Sequence, residues 1–344
     1  MSRKAVLLSS VAVAVGVAAA LRSRRNGGMS LHGKVVVITG GSRGLGIALA
    51  RGFAEEGCHL VLCARSAEEL ESASQNLAQY GSRVTTIQCD VTDRAQVEHL
   101  IAAAIQQHGR IDILVNNAGI IQVGPVETMT IEDFEKAMDV IFWGTVYTTL
   151  AALPHMREKG DGRIVNITSV GAKVSIPHLM PYSCAKFAAA AFSEGLRAEL
   201  QSTGIKVVTI APGLMRTGSH LNALFNGEGE AAWFSLGASL PAVSMNADTA
   251  ASKIIAATAK GTAERILSVP ANFLARFHGM FPGAMADILG LVNRALPKEG
   301  RNTHPGTESA VLRQPVLYAL TTLGRWAAER YLQPGMSPST SRAK

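Results

Sequence analysis

Tyr182 and Lys186 lie four residues apart, directly after Pro181, a residue suited to the first turn of a helix. On a helix this spacing places both side chains on one face. A free tyrosine has a pKa of about 10 and is a poor acid–base catalyst at neutral pH, but a nearby ammonium stabilises the phenolate and lowers that pKa. The pair therefore predicts proton exchange with a ligand, although such a pair, taken alone, more often lies on a helix surface.

A glycine-rich segment, Gly40 to Gly46, follows the β-branched run from Lys34 to Thr39. Gly40 permits a tight turn, Gly44 lets the backbone approach a pyrophosphate, and Gly46 allows close packing of the helix predicted to begin near Ile47. The helix N-terminus would then face the phosphates. A glycine-rich turn alone is usually only a turn, but the order of strand, loop and helix predicts a dinucleotide-binding site.

Strand-like and helix-like segments alternate along the chain. This alternation predicts an α/β fold, a doubly wound parallel sheet (Rossmann fold) whose ligands bind at the carboxyl ends of the strands. Beyond the first strand, the predicted strands cover residues 59–64, 84–89, 113–115, 164–168 and 206–210.

Several motifs together resemble the short-chain dehydrogenase/reductase family over roughly residues 31–270. They match its order and spacing, including the gap between Ser169 and Tyr182. The motifs are Thr39 to Gly46, Asn116-Asn117-Ala118-Gly119, Ser169, Tyr182 with Lys186, and Pro212-Gly213. The resemblance implies hydride transfer between nicotinamide and a carbonyl or alcohol. It also implies catalytic roles for three residues: Ser169 orients the substrate oxygen, Tyr182 exchanges the proton, and Lys186 also holds the nicotinamide ribose.

The same resemblance implies the cofactor-binding residues and a homo-oligomer. Asp90 resembles the residue that contacts adenine, or it caps the following helix. The implied cofactor-binding residues are Gly40, Ser42, Arg43, Gly44, Leu45, Gly46, Arg65, Asp90, Asn117, Ala118, Gly119, Tyr182, Lys186, Pro212 and Gly213.

The choice between the two nicotinamide cofactors is argued from charge. An NAD site usually has an Asp or Glu at the end of the second strand, but this chain has Cys63-Ala64-Arg65-Ser66 there. Arg65 and Arg43 offer guanidinium groups suited to a 2′-phosphate, without a carboxylate to repel it. The sequence therefore predicts NADP(H), although two solvated surface arginines would look the same.

One position departs from the family pattern. Ile141, three residues ahead of Gly144, stands where the family commonly has an asparagine that holds a water linking the active-site lysine to solvent. An isoleucine cannot do this. Proton delivery then takes another route, turnover is slow, or the protein binds its cofactor without turnover.

Composition excludes two broad classes. Of 344 residues, 47% are hydrophobic and 17% charged, which is too apolar for a disordered chain. The net charge of +7 comes from the two ends, while residues 26–293 carry 20 Lys and Arg against 23 Asp and Glu. We therefore predict no nucleic-acid partner. The four cysteines lack metal-ligand spacing, so we predict no metal site and a reducing compartment.

We predict three regions: residues 1–28, an N-terminal apolar segment; 29–270, the catalytic domain; and 271–344, a helical extension with a disordered end. Residues 5–21 carry no charge and have basic residues on both sides, which favours a membrane anchor with the catalytic domain in the cytoplasm. The alternative is a signal or transit peptide whose removal leaves a soluble protein.

The substrate and the extension are less sharply defined by the sequence. Residues 214–245 are apolar and partly aromatic, which favours a hydrophobic substrate such as a lipid, sterol-like molecule or long-chain ketone. A lid packed on the core or a subunit interface explains the same residues. In the extension, apolar side chains at helical spacing predict amphipathic helices that pack on the domain or lie in a membrane interface.

Overall fold

The computed structural model describes residues 28–298, 300 and 302–333. Within these residues, seven parallel strands form one central sheet with helices on both faces, which confirms the predicted doubly wound α/β fold. In chain order, the strands are β1 (Val35–Thr39), β2 (His59–Ala64), β3 (Val84–Gln88), β4 (Ile113–Asn116), β5 (Gln122–Val123), β6 (Gly162–Ile167), β7 (Ile205–Ala211), β8 (Met215–Arg216), β9 (Leu224–Asn226), β10 (Met245–Asn246), β11 (Glu264–Ile266) and β12 (Thr303–Pro305).

The central sheet has the strand order β11-β7-β6-β4-β1-β2-β3. The chain reverses its direction of winding between β1 and β4, which is where a sheet of this kind opens a ligand crevice. The remaining strands form two small sheets, β10-β8 and β12-β9-β5. The sequence analysis missed β11, because a three-residue strand with two exposed charged residues gives no apolar run.

The helices flank the sheet in the predicted alternation. Their bounds are α1 (Gly44–Glu55), α2 (Ala67–Leu77), α3 (Arg94–His108), α4 (Ile131–Ala137), α5 (Gly144–Lys159), α6 (Met180–Glu199), α7 (Glu228–Ser239), α8 (Ala247–Lys260), α9 (Val269–Met280), α10 (Pro282–Ala295), α11 (Pro315–Leu320) and α12 (Thr322–Arg330). A π-helical turn, Met138–Trp143, joins α4 to α5. Short 3-10 turns cover Ala78–Tyr80, Val126–Thr128, Val170–Ala172, Ser219–Leu221, Gly306–Glu308 and Val311–Arg313.

Two apolar layers hold these helices against the sheet. Successive side chains of a strand point to opposite faces, so Val36 and Ile38 of β1 enter one layer, with α1, α2 and α8. Val35 and Val37 enter the other layer, with α3, α5 and α6. Because both faces are covered, the four residues from Val35 to Ile38 of β1 are all apolar and buried.

The extension is helical, as predicted, but much of its apolar surface is exposed. Phe273 of α9 and Phe281, between α9 and α10, are 70% and 52% exposed, while Met285 of α10 is buried. Of the apolar face predicted for the last two helices, Val316, Leu320 and Leu323 are exposed and Ala327 is buried. Across the described ranges, no helix combines the length and the apolar character needed to cross a membrane. The predicted anchor at residues 5–21 and the predicted disordered end at residues 334–344 lie outside the described residues.

Asp112, just before β4, stabilises the amino-terminal ends of strands β1 and β4, opposite the crevice. Its carboxylate is 1% exposed and accepts hydrogen bonds from the Val35 N–H (2.9 Å), from Arg110 Nη2 (2.6 Å) and from Lys159 Nζ. Burial alone would raise the pKa of Asp112, but the hydrogen bonds from Arg110, Lys159 and Val35 outweigh it and lower the pKa to about 2.

This depressed pKa predicts a specific loss of stability in acid. The folded-state pKa lies below the unfolded value of about 4, so the stabilisation is fully present above pH 4 and is lost as the pH falls toward 2. We expect Asp112→Asn to lower the free energy of unfolding by about 2 kcal/mol at pH 7, with a deficit that narrows below pH 4. Urea unfolding across this pH range measures it, with Asp287→Asn, on the exposed face of α10, as the control. A deficit independent of pH would contradict the assignment.

Candidate active site

The two loops that form the base of the crevice are joined by hydrogen bonds between the ends of β1 and β4. Thr39 Oγ1 accepts from the backbone N–H groups of Asn117 (2.9 Å) and Ala118 (3.0 Å). Asn117 Nδ2 donates to the carbonyl oxygens of Thr39 and Gly40, each at 3.0 Å. The Asn117-Ala118-Gly119 segment is therefore held directly against the start of the glycine loop.

The glycine loop has the conformation that the sequence predicts. Gly40 and Gly44 have φ values of +60° and +58°, in the left-handed region where a side chain is disfavoured. A Cβ on Gly46 would lie 2.0 Å from the Gly40 carbonyl oxygen, so only glycine allows this approach. One boundary differs, because α1 begins at Gly44 rather than near Ile47, and the last glycines therefore belong to its first turn.

One end of the crevice carries the two predicted arginines together with a carboxylate that the sequence analysis did not foresee. Arg43 and Arg65 both line the crevice. Glu69, from the first turn of α2, accepts a hydrogen bond from Ser42 Oγ (2.8 Å) and lies 3.6 Å from Arg43 Nε. The expectation of no carboxylate at this end is therefore wrong, because α2 returns Glu69 to the loop from beyond the strand end.

Asp90 lines the same end of the crevice, and its carboxylate accepts from the N–H and the hydroxyl of Thr92. The alternative that Asp90 caps the following helix is wrong, because Asp93 caps α3 by accepting from the N–H groups of Ala95 and Gln96. Asp90 stays a candidate for contact with a ligand.

Ser169, Tyr182 and Lys186 meet at the other end of the crevice. Ser169 interacts with Tyr182 and acts to lower the pKa of its hydroxyl, and Ser169 Oγ accepts from the Gly171 N–H at 3.0 Å. Lys186 Nζ donates to the Ile167 carbonyl (2.7 Å) and lies 5.7 Å from the centre of the Tyr182 ring. The structure thus brings the three predicted catalytic residues together.

Burial controls the proton affinities of this group. It lowers the pKa of Lys186 to about 8, because an ammonium loses its hydration inside the protein. It raises the pKa of Tyr182, and the hydrogen bond from Ser169 offsets only part of this effect. The expectation that Lys186 lowers the pKa of Tyr182 is therefore wrong for the protein alone, since desolvation of the phenolate dominates.

A buried polar network beneath the site fixes the strands and helices that carry it. Asn116 donates to Thr149 of α5 (2.9 Å) and to Asn166 of β6 (2.8 Å), and it accepts from Thr148 (2.6 Å). Asn166 donates to Ser193 of α6, the helix of Tyr182 and Lys186. Because the Asn116 and Asn166 side chains are hydrogen-bonded, the network holds β4, β6, α5 and α6 in one arrangement.

Ile141 packs against the catalytic helix α6. It is 1% exposed and packs with Ala185, Ala189 and Tyr182. Its location in the π-helical turn was not foreseen, and its carbonyl accepts from Thr145 Oγ1 at 2.8 Å. The apolar side chain of Ile141 therefore packs directly beside Tyr182.

The segment proposed to meet the substrate divides between the core and the crevice. Phe225 and Phe234 are buried in a cluster with Leu179, whereas Met215 and Leu224 line the crevice. The predicted alternative, a lid packed on the core, thus holds for the aromatic residues. Ile120, Ile121 and Val140 also line the crevice.

We call residues 214–245 the lid. A buried ionisable pair, His178 and Glu230, joins the lid to the loop before Tyr182. Glu230 of α7 is fully buried, and its carboxylate contacts His178 Nδ1 (2.8 Å) and accepts from Trp233 Nε1 (2.6 Å). His178 has a φ of +64°, which is uncommon for a residue with a side chain. The lid and the catalytic loop are therefore held in one fixed relation.

The crevice has a volume of about 490 Å³ and is lined by all the predicted site residues except Gly46, which lies behind the glycine loop. Several lining residues were not predicted from the sequence, because they come from α2, the lid and the far end of the chain: Glu69, Thr217, Ser219, Asn222 and Gln333. Thr217 follows Pro212-Gly213 closely enough to have been considered. Nothing in the local sequence around Gln333 indicates a site.

Comparison with known proteins agrees with this geometry. A family model described as short chain dehydrogenase matches residues 34–224. The chain is 41% identical over 209 residues to a dehydrogenase/reductase SDR family protein 7-like of Anopheles gambiae, covering 59% of this chain and 66% of that protein. It is 37% identical to mouse dehydrogenase/reductase SDR family member 7B over 56% of this chain and 61% of that protein. The chain thus spans slightly less than two thirds of either relative.

Solved structures give the same result. A short-chain dehydrogenase from Streptomyces avermitilis matches with a TM-score of 0.63 and 31% identity, covering 76% of this chain and 99% of that one. Levodione reductase matches with a TM-score of 0.60 and 29% identity, covering 69% and 95%. The family model covers more than half of the sequence, and the chain therefore belongs to the short-chain dehydrogenase/reductase family.

Proposed function

We propose that the protein is an NADP(H)-dependent oxidoreductase that interconverts a hydrophobic carbonyl compound and its alcohol. The observation that carries the proposal is the meeting of Ser169, Tyr182 and Lys186 at one end of a crevice whose other end holds the glycine loop and two arginines. The names of its relatives, among them an oxidoreductase of Salmonella typhimurium and levodione reductase, support the reaction class.

The residues present fit a nicotinamide dinucleotide. Gly40 and Gly44 have left-handed φ values, and the N-terminus of α1 lines the crevice, where N–H groups and the helix dipole favour phosphate. Arg43 and Arg65 would hold a 2′-phosphate and Asp90 would contact adenine, while Lys186 would hold the nicotinamide ribose. A bound nicotinamide supplies or accepts the hydride.

The chain's own residues move the proton. In the direction of reduction, the Tyr182 hydroxyl donates its proton to the substrate oxygen as negative charge develops there, and Ser169 Oγ donates a hydrogen bond to the same oxygen. The raised pKa of Tyr182 keeps the hydroxyl protonated at neutral pH, which suits this donation. In oxidation the phenolate is needed, and the raised pKa of Tyr182 moves its formation to higher pH.

The apolar lining beside Tyr182 supports a hydrophobic substrate. Ile120, Ile121, Val140 and Leu224 line the crevice, together with Lys136, which precedes Val140 by one helical turn. The crevice's other charged residues are Lys186 of the catalytic group and four from the glycine loop, the ends of β2 and β3 and the start of α2: Arg43, Arg65, Glu69 and Asp90. A flexible apolar chain or ring system would bury carbon surface there without leaving a polar group unpaired.

A second function is favoured by Ile141, which puts an apolar side chain where the family commonly has an amide. The protein would then bind NADPH as a sensor or scaffold with little turnover. A screen of ketones and secondary alcohols with both cofactors separates the two functions. Hydride transfer to any of these compounds supports the enzyme, whereas tight NADPH binding with no transfer to any of them supports the sensor.

The role of Tyr182 predicts a separation of turnover from binding. With a substrate from this screen, we expect Tyr182→Phe to lower kcat at least about 100-fold, because the proton donor is lost. The dissociation constant for NADPH should stay within about twofold. Lys186→Met should impair both quantities, and Tyr147→Phe, outside the crevice, should impair neither. Normal turnover by Tyr182→Phe would refute the assigned role.

The charges around the glycine loop predict the cofactor preference. We expect NADPH to bind at least roughly tenfold more tightly than NADH, about 1.4 kcal/mol. Arg65→Ala should reduce the preference, and Glu69→Gln should increase it, because Glu69 is the carboxylate nearest Arg43. Arg83→Ala, on the exposed start of β3, is the control. Equal affinities of the wild type in a calorimetric titration would contradict this choice.

We also propose that residues 5–21 attach the protein to a membrane, with the catalytic domain in the cytoplasm. Their uncharged run and basic flanks support this attachment. Deletion of residues 1–28 should release the protein from membranes after alkaline washing. The melting temperature should stay unchanged, because the Met29 N–H, which bonds to the Ala259 carbonyl (2.8 Å), is retained. Recovery of the full chain in the soluble fraction would contradict the proposal.

A further inference from the structure

The end of the described chain is built into the crevice. We name residues 322–333, which comprise α12 and Tyr331 to Gln333, the C-terminal strap. Tyr331 is 1% exposed within the apolar layer of α1. Gly218 lets α12 approach closely, since a Cβ there would lie 2.3 Å from Ala328 Cα. The strap therefore packs both against the apolar layer that contains α1, α2 and α8 and against the lid.

The strap takes up one hydrogen-bond donor of the glycine loop. The Gly44 N–H, the first of α1, donates to the Tyr331 carbonyl at 2.8 Å. The first N–H groups of a helix have no partner within it and are the groups that usually receive a phosphate. In this protein, one of them is already occupied by the chain itself.

Gln333 places a side-chain amide at the same location. It is 6% exposed and lines the crevice, with Nε2 3.1 Å from the position that a Cβ on Gly44 would take. Its Oε1 accepts from Asn222 Nδ2 (2.6 Å), and its Nε2 donates to the Thr217 carbonyl (3.0 Å). A carbonyl can only accept, so the orientation of the amide is fixed.

This arrangement leaves a donor for a ligand. An amide nitrogen carries two hydrogens, and the Thr217 carbonyl takes one of them. The second hydrogen of the Gln333 amide remains for a ligand. Gln333 is buried between the glycine loop and residues 214–245. In this fold, phosphates bind at the helix N-terminus beside that loop. A neutral donor there compensates for the Gly44 N–H without adding charge.

We propose that Gln333 is a cofactor-binding residue whose amide donates to a phosphate oxygen of the dinucleotide, and that the C-terminal strap is thereby part of the cofactor site. This inference rests on the proposed function, because it requires a dinucleotide in the crevice. It assigns the extension a role in recognition of the pyrophosphate, a part shared by NADPH and NADH.

The test compares ligands with and without a pyrophosphate. Calorimetry would measure NADPH, NADH and adenosine 2′-monophosphate, or adenosine where the wild type prefers NADH. We expect Gln333→Ala to weaken binding of the preferred dinucleotide roughly tenfold or more, since a hydrogen bond to a charged group is lost. Binding of the ligand without a pyrophosphate should change less than about twofold. Gln333→Glu, of nearly the same shape, should weaken the dinucleotide further through charge repulsion. Gln201→Ala, on an exposed turn, is the matched control.

Each other outcome is informative. Dinucleotide affinity unchanged in both Gln333 variants, with unchanged melting temperatures, would overturn the inference while leaving the proposed function intact. Tighter binding would identify Gln333 as an obstruction and would also overturn it. Equal weakening of both classes of ligand would show a general distortion of the site and would overturn the assignment of Gln333 to the pyrophosphate. Failure of the wild type to bind either dinucleotide would overturn the proposed function itself, and the inference with it.

Discussion

The hydrogen bonds between Thr39 and Asn117 hold together the two loops on which the rest of the site depends. Thr39 ends β1, Asn117 follows β4, and these are the adjacent strands between which the winding of the sheet reverses. The glycine loop is positioned from one side of this join and Gly119 from the other. A Cβ on Gly119 would lie 3.8 Å from Lys186 Nζ, so the same join also reaches the catalytic group. The glycine loop and the group of Ser169, Tyr182 and Lys186 thus share one fixed reference in the sheet.

From this reference the crevice separates two kinds of environment. Around the glycine loop, charges are partly solvated and balanced, with Arg43 beside Glu69. Around Tyr182, desolvation dominates: it raises the pKa of Tyr182 and lowers the pKa of Lys186, so the neutral form of each residue is favoured. The C-terminal strap contributes a neutral amide, that of Gln333, to the lining of the crevice. The electrostatics therefore suit an anionic cofactor at one end and an uncharged carbon skeleton at the other.

The sequence predicted those features that depend on local chemistry. β-branched runs predicted most of the strands, because buried parallel strands are apolar on both faces, and glycines predicted the loop, because only they allow its φ values and close contacts. Features that depend on distant contacts were missed. Glu69 reaches the glycine loop only through the packing of α2, and Gln333 only through the return of the C-terminal strap. The pKa of Tyr182 was misjudged in direction, since spacing shows a neighbouring Lys186 but not the loss of water around both groups. The π-helical turn at Ile141 likewise has no local signal.

The most direct test of this account is an experimental structure of the protein with NADPH bound. The account predicts an extended dinucleotide with its adenosine between Arg65 and Asp90, its pyrophosphate at the N-terminus of α1, and its nicotinamide beside Tyr182 and Lys186. The reverse orientation, or a dinucleotide bound outside this crevice, would contradict it.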